Sequence, residues 1–356
     1  MKKIKIGSRC IGIGDAPYFI ADIGANHDGS IEKAFRLIEL AKKAGADAAK
    51  FQNFKADQIV SKVGFESLGG QVGHQANWKK SVFEVYQDAS ISRDWTPLLK
   101  QKCIEVGIDY FTSPYDLESV DHVDPFVDLY KIGSGDITWL EIIQHIATKN
   151  KPLLIATGAS EMSDVVRAMN TIEAYTDNVV LMQCNTNYTL DSDKYKHVNL
   201  NVLKTFSTRF PNVILGLSDH TIGHATVLGA IALGAVFIEK HFTDSNDNEG
   251  PDHKFAMNPD AWRQMVDNAN ILYHSLGNGL KTIESNEFDA KIVQRRCLRA
   301  RRDISQGEVL SIRDIIALRP APKDSIEPYE IDKLIGKSII RDIKEGEYFT
   351  NKYIKC

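Results

Sequence analysis

Short apolar segments rich in β-branched residues alternate with amphipathic segments along most of this chain. The amphipathic segments, such as residues 30–44 and 139–149, repeat their apolar positions with helical spacing. Eight apolar segments have the length of buried strands: 18–24, 46–52, 108–112, 129–133, 153–157, 179–184, 213–217 and 235–241. Repeated strand–helix units predict a parallel sheet, and eight of them match a TIM (β/α)8 barrel in size. The alternative is a doubly wound open sheet, which usually carries a glycine-rich phosphate loop after its first strand, where this chain has GANHDG.

The pattern changes near Gly277. The chain is then polar and helix-like up to residue 297, and two similar phrases follow, RARRDISQGEVLSIRDI and SIIRDIKEGEYFTNKYI. Each contains Arg-Asp-Ile followed by Gly-Glu, which predicts two related strand–turn units with Gly307 and Gly346 in the turns. We therefore predict a barrel domain over residues 1–280, a linker over 281–297 and a small β-rich domain over 298–356.

The bulk composition narrows the classes of function. A net charge of -4 without a Lys/Arg-rich run argues against a nucleic-acid partner. The chain has no apolar stretch long enough to predict a membrane span, and MKKIKIGSRC lacks the apolar core of a signal peptide. The five cysteines are scattered without a CxxC pair, which predicts reduced thiols. We therefore predict a cytoplasmic protein, and a small anionic substrate stays compatible with its charge.

Polar side chains stand at the carboxyl end of every predicted strand. In a TIM barrel these ends form the active-site face, so the pattern indicates a binding or catalytic site. The residues are Asp22, Asn26, His27, Lys50, Gln52, Thr112, Ser113, Lys131, Ser134, Thr157, Asn185, Thr186, Tyr188, Asp219, His220, Glu239 and His241.

Strand alternation predicts which of these side chains point into the barrel, because residues two apart share one face of a strand. Glu239 and His241 share the inward face of the last strand, and the same argument turns Lys50 and Lys131 inward. A buried lysine is costly without a partner anion, which favours a bound anionic ligand. The alternative is that each lysine pairs with a barrel carboxylate, such as Asp22 or Glu239.

Two histidines stand at the ends of the neighbouring seventh and eighth strands. Because adjacent strand ends lie close together, we predict that His220 and His241 hold a catalytic metal ion with other positions open to substrate and water. A competing pair is His220 with His224, spaced as in a helical zinc site, although Gly223 lies between them. His27 is either a third ligand or a residue that orients its own loop.

Longer motifs around these residues resemble the sialic acid synthases, also called N-acetylneuraminate or nonulosonate synthases. The resemblance spans nearly the whole chain, and the motifs are specific in combination. They are ADIGANHDG (21–29), GADAAKFQ (45–52), FTSP (111–114), YKIGSGD (130–136), TGAS (157–160), GLSDHT (216–221), IEKHFT (238–243), GPDHKFAM (250–257), QRRCLRARRDISQGE (294–308) and LRP (318–320).

The resemblance implies a fold, a reaction and a metal. The fold is a TIM barrel followed by an antifreeze-protein-like (SAF) β domain. The activity is that of a phosphoenolpyruvate-dependent transferase, which condenses phosphoenolpyruvate with N-acetylmannosamine or a related (di)acetamido hexose to a nine-carbon 2-keto sugar acid and phosphate. The metal is a divalent ion held by His220 and His241, often Mn²⁺, with Mg²⁺ or Co²⁺ as alternatives.

The resemblance also implies roles for individual residues. On the phosphoenolpyruvate side it selects Lys50, Thr112, Lys131, Ser134, Thr157 and Thr186. On the sugar side it selects Gln52, Tyr188, Asp252 and Arg319, the last contributed by a partner chain in a domain-swapped homodimer. Three carboxylates are candidates for positioning or deprotonating the attacking water, and the sequence does not choose among them: Asp22, Glu239 and Asp252.

Four positions depart from the family pattern. Asp22 replaces the usual Glu, Ala156 a common Ser, Thr186 a common Asn and Thr189 the usual Pro. In the family these positions surround the substrates, so the departures leave the identity of the hexose undecided. The lack of an extra basic cluster favours an unphosphorylated sugar. Two other functions stay open, a Schiff-base aldolase that uses Lys131 and a non-catalytic sugar-binding barrel.

Overall fold

The chain folds into two compact units. A computed structural model describes residues 2–355, apart from the side chains of His74 and Asn77. The units comprise residues 2–277 and 278–355.

A short antiparallel hairpin, β1 (Lys3–Ile6) with β2 (Arg9–Gly12), precedes the barrel. Its apolar side chains are buried in the same core cluster as those of the barrel strands. Lys2 forms an ion pair with Asp177, just ahead of a barrel strand. The hairpin therefore lies at the amino-terminal ends of the strands, opposite the predicted active-site face.

Eight parallel strands form a closed barrel, in which the last strand pairs with the first and the others pair with their neighbours along the chain. Each strand overlaps one of the eight predicted segments, so the predicted TIM barrel is confirmed. The strands are β3 (Tyr18–Asp22), β4 (Ala48–Asn53), β5 (Asp109–Pro114), β6 (Tyr130–Ile132), β7 (Leu153–Ala156), β8 (Val179–Cys184), β9 (Ile214–Asp219) and β10 (Ala235–His241).

Helices connect the strands and bury their apolar sides against the barrel. In the first, the Ser30 side chain accepts the N–H of Lys33 at the amino end, and Gly45 ends the helix with a φ of 97°. Leu37 and Ile38 lie on its buried side. The helices of this unit are α1 (Ile31–Ala44), α2 (Ala56–Ile59), α3 (Lys62–Ser67), α4 (Val82–Ala89), α5 (Trp95–Val106), α6 (Leu117–Val123), α7 (Leu140–Ala147), α8 (Met162–Glu173), α9 (Val202–Arg209), α10 (Ala225–Ala232) and α11 (Pro259–Leu276).

The long connection after β4 is a structured segment. Its length predicts a lid, a binding loop or disorder over residues 53–92. It contains α2, α3, a 3-10 turn (Gly73–Asn77) and α4. Trp78 and Tyr86 from this segment line a cavity at the carboxyl end of the barrel, so the segment forms part of the barrel mouth.

The second unit is built from two copies of one pattern. Ile304 and Ile343, at matching positions in the copies, exchange backbone hydrogen bonds of 2.8 and 2.9 Å. Gly307 and Gly346 have φ values of 90° and 82°, as turn glycines do. One further ladder joins β11 (Cys297–Ala300) to β12 (Ile315–Leu318). The repeated phrase in the sequence is therefore a structural repeat whose copies pair with each other.

Residues 281–297, predicted as a linker, contain regular structure. A 3-10 turn (Ser285–Glu287) leads into α12 (Phe288–Gln294). The amide of Ala321 donates to the carbonyl of Ile292 at 2.8 Å. This contact ties α12 to the rest of the second unit.

Two further observations concern thiols and membranes. Cys10, Cys103, Cys184 and Cys297 are free thiols, and Cys356 lies outside the described residues. Across residues 2–355, no helix has both the length and the apolar character that crossing a membrane requires.

Candidate active site

Four charged side chains from four strands meet inside the barrel at its carboxyl end. Lys50 Nζ lies 2.6 Å from Asp22 Oδ2 and 3.4 Å from Glu239 Oε1. Lys131 Nζ lies 3.1 Å from the same Glu239 oxygen. Both lysines point inward, as strand alternation predicts, and both have the carboxylate partners that the alternative interpretation named. We call these four residues the inner cluster.

The pKa values of three members of the inner cluster, Asp22, Glu239 and Lys50, are shifted toward their charged forms. Burial acts to raise the pKa of Asp22, but Lys50 and His241 outweigh it and hold that pKa below its ordinary value. Burial also acts to raise the pKa of Glu239, and Lys131 with Lys50 outweighs it in the same way. Burial acts to lower the pKa of Lys50, but Asp22 and Glu239 raise it. Two ammonium groups and two carboxylates cancel, so the inner cluster carries no excess positive charge.

His220 and His241 lie side by side at the ends of β9 and β10. Their ring centroids are 5.6 Å apart. Tyr188 packs with its ring centroid 4.2 Å from that of His220, and Phe255 lies 5.0 Å from His241. Because a ligating nitrogen stands about 2.0–2.1 Å from an ion such as zinc, rings at this separation are close enough to share one ion.

The main chain determines which nitrogen of His220 is available. Its Nδ1 lies 3.0 Å from the carbonyl oxygen of Asn185, so Nδ1–H donates and Nε2 keeps its lone pair. Burial, with a smaller contribution from His241, lowers the pKa of His220 to about 3, which leaves the ring neutral near pH 7. A neutral imidazole anchored through one nitrogen is the form that binds metal ions.

His241 supplies a second nitrogen between two carboxylates. Its Nδ1 is buried without a hydrogen-bond partner among the described residues. Asp252 Oδ2 lies 3.6 Å from Nδ1, and Asp22 Oδ2 lies 3.6 Å from Nε2. A buried polar atom without a partner is uncommon, and a cation at this point would satisfy it. The residues therefore fit a divalent metal ion.

The protein does not provide a complete metal cage. In the part of the chain that the structure describes, no group of three or more His, Cys, Asp or Glu side chains is arranged to hold a metal ion. Two imidazoles leave several positions open to substrate and water, and an open position distinguishes catalytic metal sites from structural ones.

Two residues predicted on the phosphoenolpyruvate side, Ser134 and Thr186, follow β6 and β8 at the same end of the barrel. The N–H of Gly158 donates to Ser134 Oγ at 2.9 Å. A Cβ on Gly158 would lie 2.9 Å from both Ser134 Oγ and Thr186 Cγ2. Glycine at this position therefore lets the loops after β6, β7 and β8 meet.

Thr112 does not face the mouth as predicted. Its hydroxyl donates to Asn53 Oδ1 at 2.6 Å, and Asn53 Nδ2 donates to Thr96 on α5. Thr112 thus faces the helix layer, whereas Ser113 pairs in register with Gln52 on the inward face. The Ser113 hydroxyl is buried without a partner among the described residues. Register with the neighbouring strand, which the segment itself does not encode, decides between these two adjacent hydroxyls.

Thr157 and Arg319 are two further residues that the sequence predicts to bind substrate. The hydroxyl of Thr157 donates to the carbonyl of Met182 at 3.0 Å, so it joins β7 to β8. Arg319 is an exposed residue of the second unit, and its contribution from a partner chain stays a prediction.

A cavity of about 160 Å³ opens beside His241. The predicted sugar-side residues that line it are Gln52, Tyr188 and Asp252. Tyr86 and Tyr115 line it as well, and sequence reasoning missed both. Tyr115 directly follows the FTSP motif, which could have indicated it, whereas Tyr86 lies on α4 without a comparable signal.

Gly24, in the ADIGANHDG motif, leaves space for the side chains of Asp252 and His241. Its φ is 50°, and an added Cβ would lie 2.7 Å from Asp252 Oδ2 and 3.1 Å from the His241 ring. The next amide, that of Ala25, donates to Asp252 Oδ2 at 3.1 Å. The loop after β3 therefore holds the Asp252 carboxylate beside His241.

Asp219, one of the polar residues predicted at the active-site face, faces the helix layer instead. Lys240 Nζ lies 2.6 Å from Asp219 Oδ2. The hydroxyls of Thr221 and Thr226 donate to the same oxygen at 2.9 and 2.6 Å. We call these four residues the outer cluster. Asp219 is one residue from the inward-facing Ser218, so alternation turns it outward.

His27 and His224 are not placed as metal ligands. His27 packs 5.4 Å from the Trp95 ring, and its Nδ1 accepts the N–H of Gly29 at 3.1 Å. Of the two interpretations of His27, this contact supports loop orientation. His224 Nε2 lies 3.1 Å from Asn268 Nδ2 on α11, so the pair of His220 with His224 is not formed as a metal site.

The fold and the site define a (β/α)8-barrel protein with a C-terminal SAF domain. Residues 37–281 match the NeuB family, and residues 295–355 match the SAF domain. The chain belongs to the NeuB family, which confirms the resemblance found in the sequence.

Individual relatives agree over nearly the full chain. N,N'-diacetyllegionaminic acid synthase of Legionella pneumophila is 34% identical over 345 residues, 95% of each chain. Pseudaminic acid synthase of Campylobacter jejuni is 31% identical over 336 residues, 93% of this chain and 94% of the relative. Among solved structures, the spore coat polysaccharide biosynthesis protein SpsE of Bacillus subtilis is 28% identical with a TM-score of 0.66, and the match covers 100% of this chain and 99% of that one.

Proposed function

We propose that this protein condenses phosphoenolpyruvate with N-acetylmannosamine or a related (di)acetamido hexose, giving a nine-carbon 2-keto sugar acid and phosphate. Membership of the NeuB family and relatives named as synthases of legionaminic- and pseudaminic-type acids support this class of reaction. The observation that carries the proposal is that His220 and His241 stand side by side over a barrel mouth that also contains Lys50 and Lys131.

His220 and His241 would hold the metal ion. A divalent ion there, with Mn²⁺ as our first choice and Mg²⁺ or Co²⁺ as alternatives, would act as a Lewis acid on the aldehyde oxygen of the open-chain hexose. The charge balance supports a cation: the two lysines already cancel Asp22 and Glu239. The phosphate and carboxylate of phosphoenolpyruvate would otherwise bring uncompensated negative charge into a buried site.

Lys50 and Lys131 would bind the anionic groups of phosphoenolpyruvate. Hydrogen bonds from ammonium to phosphate or carboxylate are among the strong ones, so each lysine can exchange part of its bonding from the barrel carboxylates to the ligand. Ser134 and Thr186, with the inward hydroxyl of Ser113, lie at strand ends that would surround the phosphate.

The reaction forms one C–C bond and one C–O bond, from water to C2, and breaks the C2–O bond to phosphate. C3 of phosphoenolpyruvate bonds to the aldehyde carbon, whose oxygen takes a proton and becomes a hydroxyl. Water adds at C2, the C2–O bond to phosphate breaks and phosphate leaves with the electron pair, so that C2 becomes a ketone; of the two protons of the water, one balances the proton on the new hydroxyl and the other goes to the released phosphate. Glu239 Oε2, buried without a partner among the described residues, supports a role in accepting the hydrogen bond of this water, with Asp22 and Asp252 as alternatives.

The hexose would lie in the cavity beside His241. Gln52, Tyr188 and Asp252 would bind its hydroxyl and acetamido groups, and the Tyr86 and Tyr115 rings would pack against it. Among the described residues, no Lys or Arg lines this cavity, which supports an unphosphorylated sugar.

A substrate panel tests the proposal. Purified protein with phosphoenolpyruvate and Mn²⁺ is offered N-acetylmannosamine, its 6-phosphate and diacetamido-dideoxy hexoses, and phosphate and 2-keto acid are measured together. We expect both products in equal amounts with an unphosphorylated hexose, loss of activity on chelation and recovery with Mn²⁺. Activity that survives chelation, together with inactivation by borohydride and a keto acid, would support the Schiff-base aldolase through Lys131. Absence of phosphate release with every hexose would support the non-catalytic sugar-binding barrel.

We also propose a cytoplasmic, domain-swapped homodimer in which each site receives Arg319 from the other chain. Mixing two inactive variants, Arg319→Ala and Lys131→Met, tests the exchange. In a mixed dimer one site carries both defects and the other carries neither, so activity should reappear on mixing. Mixed dimers without regained activity would contradict the exchange.

A further inference from the structure

A buried lysine outside both the inner and the outer cluster holds the main chain that carries His220. Lys194 is 4% exposed and lies in a 3-10 turn, Ser192–His197. Its ammonium donates to the carbonyl of Thr189 at 2.5 Å and to the carbonyl of His220 at 2.9 Å. Burial, the largest effect, lowers the pKa of Lys194, with Asp219 acting in the opposite direction. The hydrogen-bond acceptors of this buried ammonium group are thus two backbone carbonyls, which is unusual for a buried lysine.

Lys240 holds the next carbonyl along the chain. Its ammonium donates to Thr221 O at 2.6 Å while it pairs with Asp219. The carbonyls of His220 and Thr221 thus each accept a hydrogen bond from a buried ammonium group. The Asn185 carbonyl accepts the ring N–H of His220 as well. Hydrogen bonds to the main-chain carbonyl of His220 and from its ring nitrogen therefore both fix the position of the imidazole.

Lys194 also ties a second segment to this point. Thr189 belongs to the stretch after β8 that carries Thr186 and Tyr188, and this stretch contains no helix or strand between Asn185 and Asp191. The Tyr188 ring lies 4.2 Å from that of His220. One ammonium group therefore connects the residue proposed to bind metal with the segment proposed to bind the sugar.

We propose that Lys194 is a positioning residue, which aligns the His220 imidazole for the metal ion and the Tyr188 segment for the hexose. The inference rests on the proposed function, although Lys194 itself touches neither substrate in that scheme. Removing the hydrogen bonds that orient a metal ligand typically weakens metal affinity or activity 10- to 100-fold. The loss of the ammonium would also leave two buried carbonyls without their donor.

Three variants test this role. Lys194→Met keeps the apolar stem and removes the donors, and Lys194→Arg keeps a buried cationic donor. Lys196→Met is the matched control, because Lys196 lies in the same turn but is exposed, paired with Asp193 at 2.9 Å. The primary measurement is Mn²⁺ titration without substrate, followed by the electron paramagnetic resonance signal of free Mn²⁺. Circular dichroism melting reports whether each variant is folded.

We expect Lys194→Met to bind Mn²⁺ about tenfold or more weakly than the wild type, Lys194→Arg to recover most of the affinity, and Lys196→Met to match the wild type. In turnover, kcat should fall while the KM for phosphoenolpyruvate stays within about twofold, because Lys50 and Lys131 bind that substrate.

Opposite results separate this role from the proposed function. A folded Lys194→Met that binds Mn²⁺ like an active wild type overturns the role of Lys194 and leaves the synthase standing. A wild type that binds no Mn²⁺ overturns the metal assignment and this inference together. If Lys194→Met does not fold, Lys194→Leu, which also lacks a donor, replaces it, and wild-type Mn²⁺ affinity in that variant overturns the inference.

Discussion

The inner and outer clusters place buried charges on opposite faces of the barrel wall, Glu239 and Lys240 of β10 being one from each, and they differ in how fully their hydrogen bonds are satisfied. In the outer cluster Asp219 accepts bonds from Lys240, Thr221 and Thr226, and its second oxygen accepts the amide of Thr221 at 3.0 Å. Each polar atom of this carboxylate has a partner inside the protein. The outer cluster therefore has the properties of a structural ion pair.

The inner cluster and its neighbours are incompletely satisfied. Glu239 Oε2, Ser113 Oγ and His241 Nδ1 are buried without hydrogen-bond partners among the described residues. Leaving such groups unpaired costs stability, so they persist where a ligand completes them. Burial and charge alone do not distinguish the two clusters, whereas unsatisfied hydrogen bonds do.

Substitution in the outer cluster should affect stability most. Lys240→Met would leave Asp219 as a buried charge without its cation, and breaking a buried pair typically costs about 3–5 kcal/mol. We expect the free energy of unfolding, measured by urea denaturation, to fall by about that amount. The double variant Lys240→Met with Asp219→Asn removes both charges and should recover part of the loss. A loss below about 1 kcal/mol in the single variant would remove the distinction between the clusters.

Substitution in the inner cluster should affect activity instead. Lys131→Met would remove one donor to the anionic substrate, and the loss of one such donor typically lowers turnover about 10²- to 10³-fold. Glu239 would keep Lys50 at 3.4 Å and Ser218 at 3.2 Å, so we expect a smaller loss of stability than in Lys240→Met, where Asp219 loses the lysine that pairs with it. Phosphate release and urea denaturation measure the two effects. A Lys131→Met protein that is destabilised but fully active would reverse the assignment of the clusters.

His27 extends the comparison to a buried imidazole whose Nδ1 accepts a hydrogen bond from its own loop. Burial lowers the pKa of His27 to about 4, with Asp28 acting in the opposite direction, whereas the unfolded chain titrates near 6.5. Between these values the unfolded chain binds more protons, so stability falls as the pH drops below about 6.5. The free energy of unfolding of the wild type should therefore fall between pH 7 and pH 5. We expect that fall to be about 2 kcal/mol smaller in His27→Gln, as measured by urea denaturation at both pH values. The exposed His197→Gln serves as the control, and equal acid sensitivity in wild type and His27→Gln would contradict the prediction.

Substitutions at two glycines, Gly158 and Gly135, test where phosphoenolpyruvate binds in the barrel mouth. Gly158→Ala would press a methyl group against Ser134 and Thr186, and overpacking of this kind costs about 1–3 kcal/mol. We expect the KM for phosphoenolpyruvate to rise about tenfold. Gly135→Ala is the control, because an added Cβ there meets open space. An unchanged KM in Gly158→Ala would place the anion elsewhere in the mouth.

Strand alternation and the repeat of strand–helix units were enough to predict most of the fold and the residues at the centre of the site. The eight strands, the inward Lys50 and Lys131 and the paired positions of His220 and His241 followed from period and order along the chain. Sequence reasoning missed the hairpin of β1 and β2, because two four-residue strands with charged residues give a weak periodic signal.

By itself, the sequence determined the barrel, the repeat of the second unit and the set of charged residues at the strand ends, because side-chain period and element order are local properties. Only the tertiary structure decided that Ser113 and not Thr112 faces inward, that Asp219 belongs to the helix layer, and that Lys194 reaches His220 O. These outcomes depend on the register between neighbouring strands and on how loops from different strands meet once the barrel closes. No segment encodes that closure alone.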